Sequence, residues 1–232
     1  MNRIILLLFP ILMLSCDPAD IQRVLDTGTA LSAEEAGRGL KEALDFGVDE
    51  AVTFLSAEDG YYKSIYQILM PEDVQKVTDK LKVLPGFTNV ETEIVRRVNR
   101  AAEDAAKSAG PIFLDAIKKI TFQDAMDILK GQNNAATVYL ERNTNQALRA
   151  EFNPIIVNSL NKFGALDYWA DAVNSYNKIP FITKLNPDLS DHVTTQAMDG
   201  LFALIAVKEE GIRSDVSQRT TSLLRKVFAQ QD

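Results

Sequence analysis

The sequence predicts an all-α fold, a single bundle-like domain of about eight or nine helices. Three observations carry that reading. The apolar residues Ile94, Val98, Ala101, Ala105, Ala109, Ile112, Ala116 and Ile120 step by 4, 3, 4, 4, 3, 4 and 4, which is helical period held over a long segment. Helix-start patterns recur at Ser32-x-x-Glu35, Thr121-x-x-Asp124 and Asp188-x-x-Asp191. Strand-like alternation is nearly absent, and there is no internal repeat or low-complexity stretch.

The elements follow in order. Ser32 and Glu35 open a helix to about Ser56, with Leu40, Leu44, Val48, Ala51, Val52 and Leu55 along one side. Gly60-Tyr61-Tyr62 breaks it, and Tyr61 to Met70 reads as extended chain. Pro71-Glu72-Asp73 suits a first helical turn, where proline loses no hydrogen bond and acids meet the helix dipole; that helix ends near Pro85-Gly86. The regular segment comes next. Its middle is alanine, so a partner helix can approach closely, and Gly110-Pro111 should kink or divide it. Thr121 opens a short helix that Gly131 stops. A long helix runs from about Asn134 to Phe163, with a kink expected at Pro154, and Gly164 ends it. Leu166, Trp169, Val173 and Tyr176 mark another before Pro180. The helix opened by Asp188 carries Leu189, Val193, Ala197, Leu201, Leu204 and Ile205 on one stripe. Gly200 beside that stripe signals tight backbone contact, and Gly211 should close the helix. Leu223, Leu224, Val227 and Phe228 belong to the last one.

The N-terminus speaks of location. Arg3 is followed by a mostly apolar run, Ile4 to Leu14, and then by Ser15 and the only cysteine, Cys16. A positive residue, a short apolar core and a small residue make up a secretory signal peptide, and the run falls short of the ~20 apolar residues a spanning helix needs. Met13-Leu14-Ser15-Cys16 resembles the bacterial lipobox. That resemblance implies cleavage before Cys16 and acyl chains on its thiol and new amine. Two or three chains hold firmly, at about 0.8 kcal/mol per buried methylene. The expected organisation is a lipoprotein signal peptide at 1–15, a tether at 16–31 and an all-helical domain at 32–232. The expected address is the bacterial cell envelope, exported, facing the periplasm. Asp17 resembles an inner-membrane retention signal of enteric bacteria, but sorting rules differ between phyla and the choice of membrane stays open.

Composition excludes several function classes. The chain carries a formal net charge of −7, without the basic footprint of a nucleic-acid binder or a polybasic lipid-binding patch. At 46% hydrophobic residues it can bury a core. Beyond Cys16 there is no cysteine for a disulfide, a redox pair or a thiolate metal site.

Four stretches occur in order: "NRAAEDAA" (99–106), "TFQDAMDILKGQNNAATVYL" (121–140), "DHVTTQAMDGLFALIAVKEEGIR" (191–213) and "RTTSLLRKVF" (219–228). Together they resemble an exported helical family of bacteria catalogued as a domain of unknown function. The likeness covers roughly residues 30 to 228. It implies a helical fold and an envelope location, and it supplies no activity.

Few residues of the sequence carry a recognisable chemistry. The lone histidine, His192, has no GxSxG partner and reads as a surface or inter-helix residue. No HExxH, Glu-x-x-His pair or phosphate loop is present, so neither a metal nor a cofactor is expected. Asn186, Asp188 and Ser190 space their oxygens faintly like a calcium loop, but the glycine and the final glutamate are missing and a helix cap explains them. Glu209-Glu210 with Arg213, Asp215 and Arg219 could bind an anion through the arginines, or form a salt-bridge and capping network. In "GQNNAATVYL", Asn133 or Asn134 would cap the long helix, and Thr137 and Tyr139 could add to a polar pocket. Arg213, Arg219, Asn134 and Tyr139 are thus the candidate ligand or partner contacts, and Cys16 is the lipid-attachment residue. Glu34-Glu35 and Glu103-Asp104 read as solvated faces or caps. Tyr61, Tyr62 and Tyr66 could make an aromatic contact patch, or form core edges.

Three functions compete. The first is a lipid-anchored interaction or scaffold domain, held at the membrane by its acyl chains and meeting an envelope protein. The second is a binding module for a small apolar or amphipathic ligand between helices. The third is an envelope enzyme using carboxylates such as Glu103, Glu141, Glu209 or Glu210.

Overall fold

The computed structural model describes residues 31–70, 75, 79, 82, 88–162, 164–181 and 189–229. The segment bearing Cys16 lies outside them, as do Asn186, Asp188 and most of the helix expected from Pro71; Gln75 and Asp79 of that stretch are helical. Ala33–Asp232 forms one compact unit.

Eight α-helices stand among the described residues: α1 (Ala33–Ser56), α2 (Val90–Ala106), α3 (Ala109–Lys119), α4 (Phe122–Leu129), α5 (Ala135–Lys162), α6 (Ala165–Asn177), α7 (Ser190–Ser214) and α8 (Ser222–Phe228). A 3-10 turn, Val216–Gln218, links the last two. The fold is all-α, with no strand among the described residues.

Period placed the core correctly. Ile94, Val98, Ala101, Ala105 and Ala109 are fully buried, and so are Ala102 and Ala106 beside them. The alanine-rich stretch thus buries two neighbouring lines, and α2 packs on α1, α5, α6 and α7. The segment does divide in two, at Lys107–Ser108, two residues ahead of Gly110-Pro111. Pro111 then falls in the first turn of α3, where its missing N–H costs nothing. Pro154 lies inside an unbroken α5. Thr121 and Asp124 close a reciprocal capping box at α4. Gly164 sits at φ 61°, a left-handed hinge between α5 and α6 that a side chain would strain.

Two expectations fail. Tyr61 to Met70 is a chain of turns as far as Tyr66, and 67–70 carries no regular secondary structure. Gly211 does not end α7, which continues to Ser214. A Cβ there would stand 2.2 Å from Gln218 Oε1, so the exposed end of that side chain lies over the glycine.

Candidate functional site

Two glutamates that the sequence leaves ambiguous are buried, and each grips backbone from a distant element. Glu209, on α7, is 8% exposed. Its Oε1 accepts from the Ala136 amide at 2.9 Å, and its Oε2 from the Thr137 amide and hydroxyl, both at 2.8 Å. The carboxylate therefore caps the start of α5, where the helix dipole favours negative charge. Arg213, one turn on and 5% exposed, donates Nε to Glu209 at 3.0 Å. Its Nη2 donates to the Ile128 carbonyl at 2.8 Å, at the end of α4, where the dipole favours a cation. The pair thus spans the α4–α5 turn, each charge facing the helix end of opposite sign. Arg219, 1% exposed, donates to the Ile212 and Arg213 carbonyls at 2.9 and 2.8 Å and closes the end of α7.

The second glutamate is Glu103, on α2. It is 3% exposed, which overturns its reading as a solvated face. Its Oε1 accepts from the Tyr61 and Tyr62 amides at 3.2 and 3.1 Å, and its Oε2 from Arg100 Nη1 at 2.6 Å. One turn earlier, buried Asn99 exchanges hydrogen bonds with both the amide and the carbonyl of Ile68, at 2.8 and 2.9 Å. Tyr61 is fully buried rather than part of a contact patch, and its hydroxyl donates to the Ala197 carbonyl at 2.6 Å. Burial holds that phenol far above its ordinary pKa, with the charge of Glu103 adding to the effect. A Cβ on Gly200 would stand 2.9 Å from the Tyr61 ring, which is the close contact expected there. Tyr62 and Tyr66 are partly buried against the core. His192 meets the Leu69 carbonyl through Nε2 at 3.0 Å.

All these polar groups hold the chain to itself. Both Glu209 oxygens and both Glu103 oxygens face donors, and the Arg213 and Arg219 guanidiniums face carbonyls. The cavity beside Glu209 and Arg213 measures about 20 Å³, room for roughly one water. Of the other candidate contacts, Asn134 is exposed beside an open groove shared with Val207 and Glu210, and its carbonyl accepts from Val138 at 3.0 Å. The two α5 amides that an asparagine cap would have served go to Glu209 instead. Tyr139 is partly buried, with Arg142 5.9 Å from its ring centre. The structure brings Arg213 and Arg219 together, and leaves Asn134 and Tyr139 as separate positions. Glu141 and Glu210 are exposed. Among the described residues no three His, Cys, Asp or Glu side chains group as a metal site, and no helix is long and apolar enough to cross a membrane.

Two surface features remain. Phe54, near the end of α1, is 49% exposed, and in the segment that follows Ile65 is 91% and Leu69 55% exposed. Further back along α1, a groove of about 450 Å³ lies between α1, α7 and α8, lined by Phe46, Ile212 and Leu224.

Residues 30–229 match the family described as Protein of unknown function (DUF4197). No curated protein matches the chain, and no solved structure does. The match covers most of the sequence, so the chain belongs to that family.

Proposed function

From membership of a family without assigned chemistry, and from the surface just described, we propose a lipid-anchored interaction domain of the bacterial cell envelope. The chain is exported, acylated at Cys16 and tethered through residues 16–31. It binds an envelope protein through the exposed apolar residues of the segment after α1, Ile65 and Leu69. One observation carries this reading. Ile65 is 91% exposed on a segment pinned by Glu103, Asn99 and the Tyr61 hydroxyl. A large apolar side chain on an exposed loop costs solubility. Holding it rigid lowers the entropy lost on docking, which is how anchor residues contribute affinity. The other features agree. The signal-like N-terminus with its single cysteine supports the address, and the buried glutamates support architecture as their role.

Two measurements test the proposal. Intact mass of the protein from its own cells should show Cys16 as an acylated N-terminus; an unmodified thiol overturns the anchor. A photo-crosslinking residue at position 65 should trap one envelope protein, and Leu69→Glu in the same chain should abolish the adduct without lowering the melting temperature. If position 65 yields no adduct while exposed positions elsewhere do, the docking segment is wrong.

A further inference from the structure

The groove beside Phe46 supports an inference independent of the N-terminal address. Its volume of about 450 Å³ falls within the roughly 300–1,000 Å³ of small-molecule sites. Its floor is apolar: Phe46 is 44% exposed, while Ile212 and Leu224 are nearly covered. One rim carries an ion pair, Lys208 Nζ to Glu50 Oε2 at 2.8 Å. Exposed Thr220 and Gln218 also line the groove.

This pair differs in kind from Glu209–Arg213. The Lys208 and Glu50 side chains are 33% and 59% exposed. An exposed pair of this sort contributes about 0–1 kcal/mol, so a ligand can open it at little cost. Both signs of charge stand side by side above a hydrocarbon floor. A ligand of one charge would face repulsion from one member of the pair. A head with an amine and an acidic oxygen group side by side would face both members correctly. We propose that this groove binds a small amphipath with a zwitterionic head, its ammonium toward Glu50, its anionic group toward Lys208 and Thr220, and its tail on Phe46, Ile212 and Leu224. Two sources share that chemistry: an apolar free amino acid, and a single-chain aminophospholipid.

The test uses the full chain and three probes with matched tails at pH 7: 2-aminooctanoic acid, octanoate and octylamine. Titration is followed by amide NMR shifts. The zwitterion should bind saturably, with shifts centred on residues 46–50, 208–212 and 220–224. It should bind about threefold or more tighter than either singly charged probe, the scale of one exposed ion contact. Glu50→Gln should erase the preference over octanoate, and Lys208→Gln the preference over octylamine. Thr220→Trp should fill the mouth and block binding with the melting temperature unchanged. L-leucine and lysophosphatidylethanolamine, the latter kept below its micelle concentration, then compete against 2-aminooctanoic acid, and whichever displaces it identifies the source. Equal affinity for the three probes, shifts elsewhere, indifference to Thr220→Trp, or no displacement by either competitor overturns the proposal.

Discussion

Glu103 and Glu209 solve one problem in two settings. Each is a buried carboxylate on a long helix. Each takes two consecutive amides from a distant element, and each pairs with an arginine one turn away on its own helix. The difference lies in the arginine. Arg100 is 18% exposed and reaches outward to Asp59 at 2.6 Å, so its charge keeps a second partner and water. Arg213 points inward, to the carbonyls that end α4. The loop clamp therefore stands at the edge of water and the helix clamp inside the core. The lesson is that similar hydrogen bonds should differ in energy according to what remains after one partner is removed.

The largest effect should come from Glu209→Ala. It leaves two amides of α5 uncapped and the Arg213 charge buried without its counter-ion. Breaking a buried pair this way costs about 3–5 kcal/mol. Urea denaturation should show that loss as one cooperative shift of the whole domain. Glu103→Ala should cost less, about 1–3 kcal/mol, because Arg100 keeps Asp59. Its signature should be local: hydrogen exchange should speed at Tyr61 to Ile68 while α5 stays protected. Equal costs for the two variants, or equally global exchange, would end the comparison.

The helices were legible in the sequence because burial repeats with the turn. The clamps were not legible as clamps, because their partners lie far along the chain: Glu209 reaches Ala136 and Glu103 reaches Tyr61. Yet a trace of them was present. Leu201 and Ile205 continue by fours to Glu209 and Arg213, so both charges fall on the apolar stripe of α7. Asn99 and Glu103 are likewise spaced by four, beside Ala102 and Ala106. Charge in register with a core stripe signals a buried polar partner, and that register marks Glu209 as internal. The local cap signal of Asn134 pointed the other way, since the competing cap is remote. The letters of 61–66 suggest extended chain because the anchor of these turns is remote: the Tyr61 and Tyr62 amides go to Glu103 on α2, while the bonds of Lys63, Ser64 and Tyr66 stay local. Gly211 looked like a stop because glycine often ends helices, whereas here it makes room for Gln218.

Glycines of α7 sharpen the contrast between rigid and yielding surroundings at a smaller scale. Gly200→Ala drives a methyl toward the ring of buried Tyr61, which its hydroxyl bond to Ala197 holds in place. Overpacking of this kind costs about 1–3 kcal/mol, against a gain of about 1 kcal/mol from helix propensity. The net effect should be destabilising. Gly211→Ala meets only the side chain of exposed Gln218, which can swing into water. There the propensity gain should prevail and the melting temperature should rise slightly. Matching signs at the two positions would show that Tyr61 is free to move, and would weaken the claim that its loop is pinned.

Acid should separate the two clamps last and most gently. Asp104, next to Glu103, accepts from the Ser159 hydroxyl, which holds its carboxyl below the usual range, with Lys107 adding to the effect. Asp59 is held low in the same sense by hydrogen bonds from Lys63 and Arg100. A depressed folded-state value means the unfolded chain binds protons first as pH falls. The stabilisation is therefore complete above the unfolded value of about 3.9 and is lost as pH drops through the folded one. Asp59 borders the loop clamp through Arg100, whereas Asp104 reaches α5, so loosening at residues 59–68 should follow Asp59 as pH falls below about 4. Ser159→Ala should raise the Asp104 value and flatten the fall in urea midpoint over that range. Hydrogen exchange across the same range gives the decisive reading. Should α5 amides lose protection before the loop does, the water-edge clamp would not be the weaker of the two.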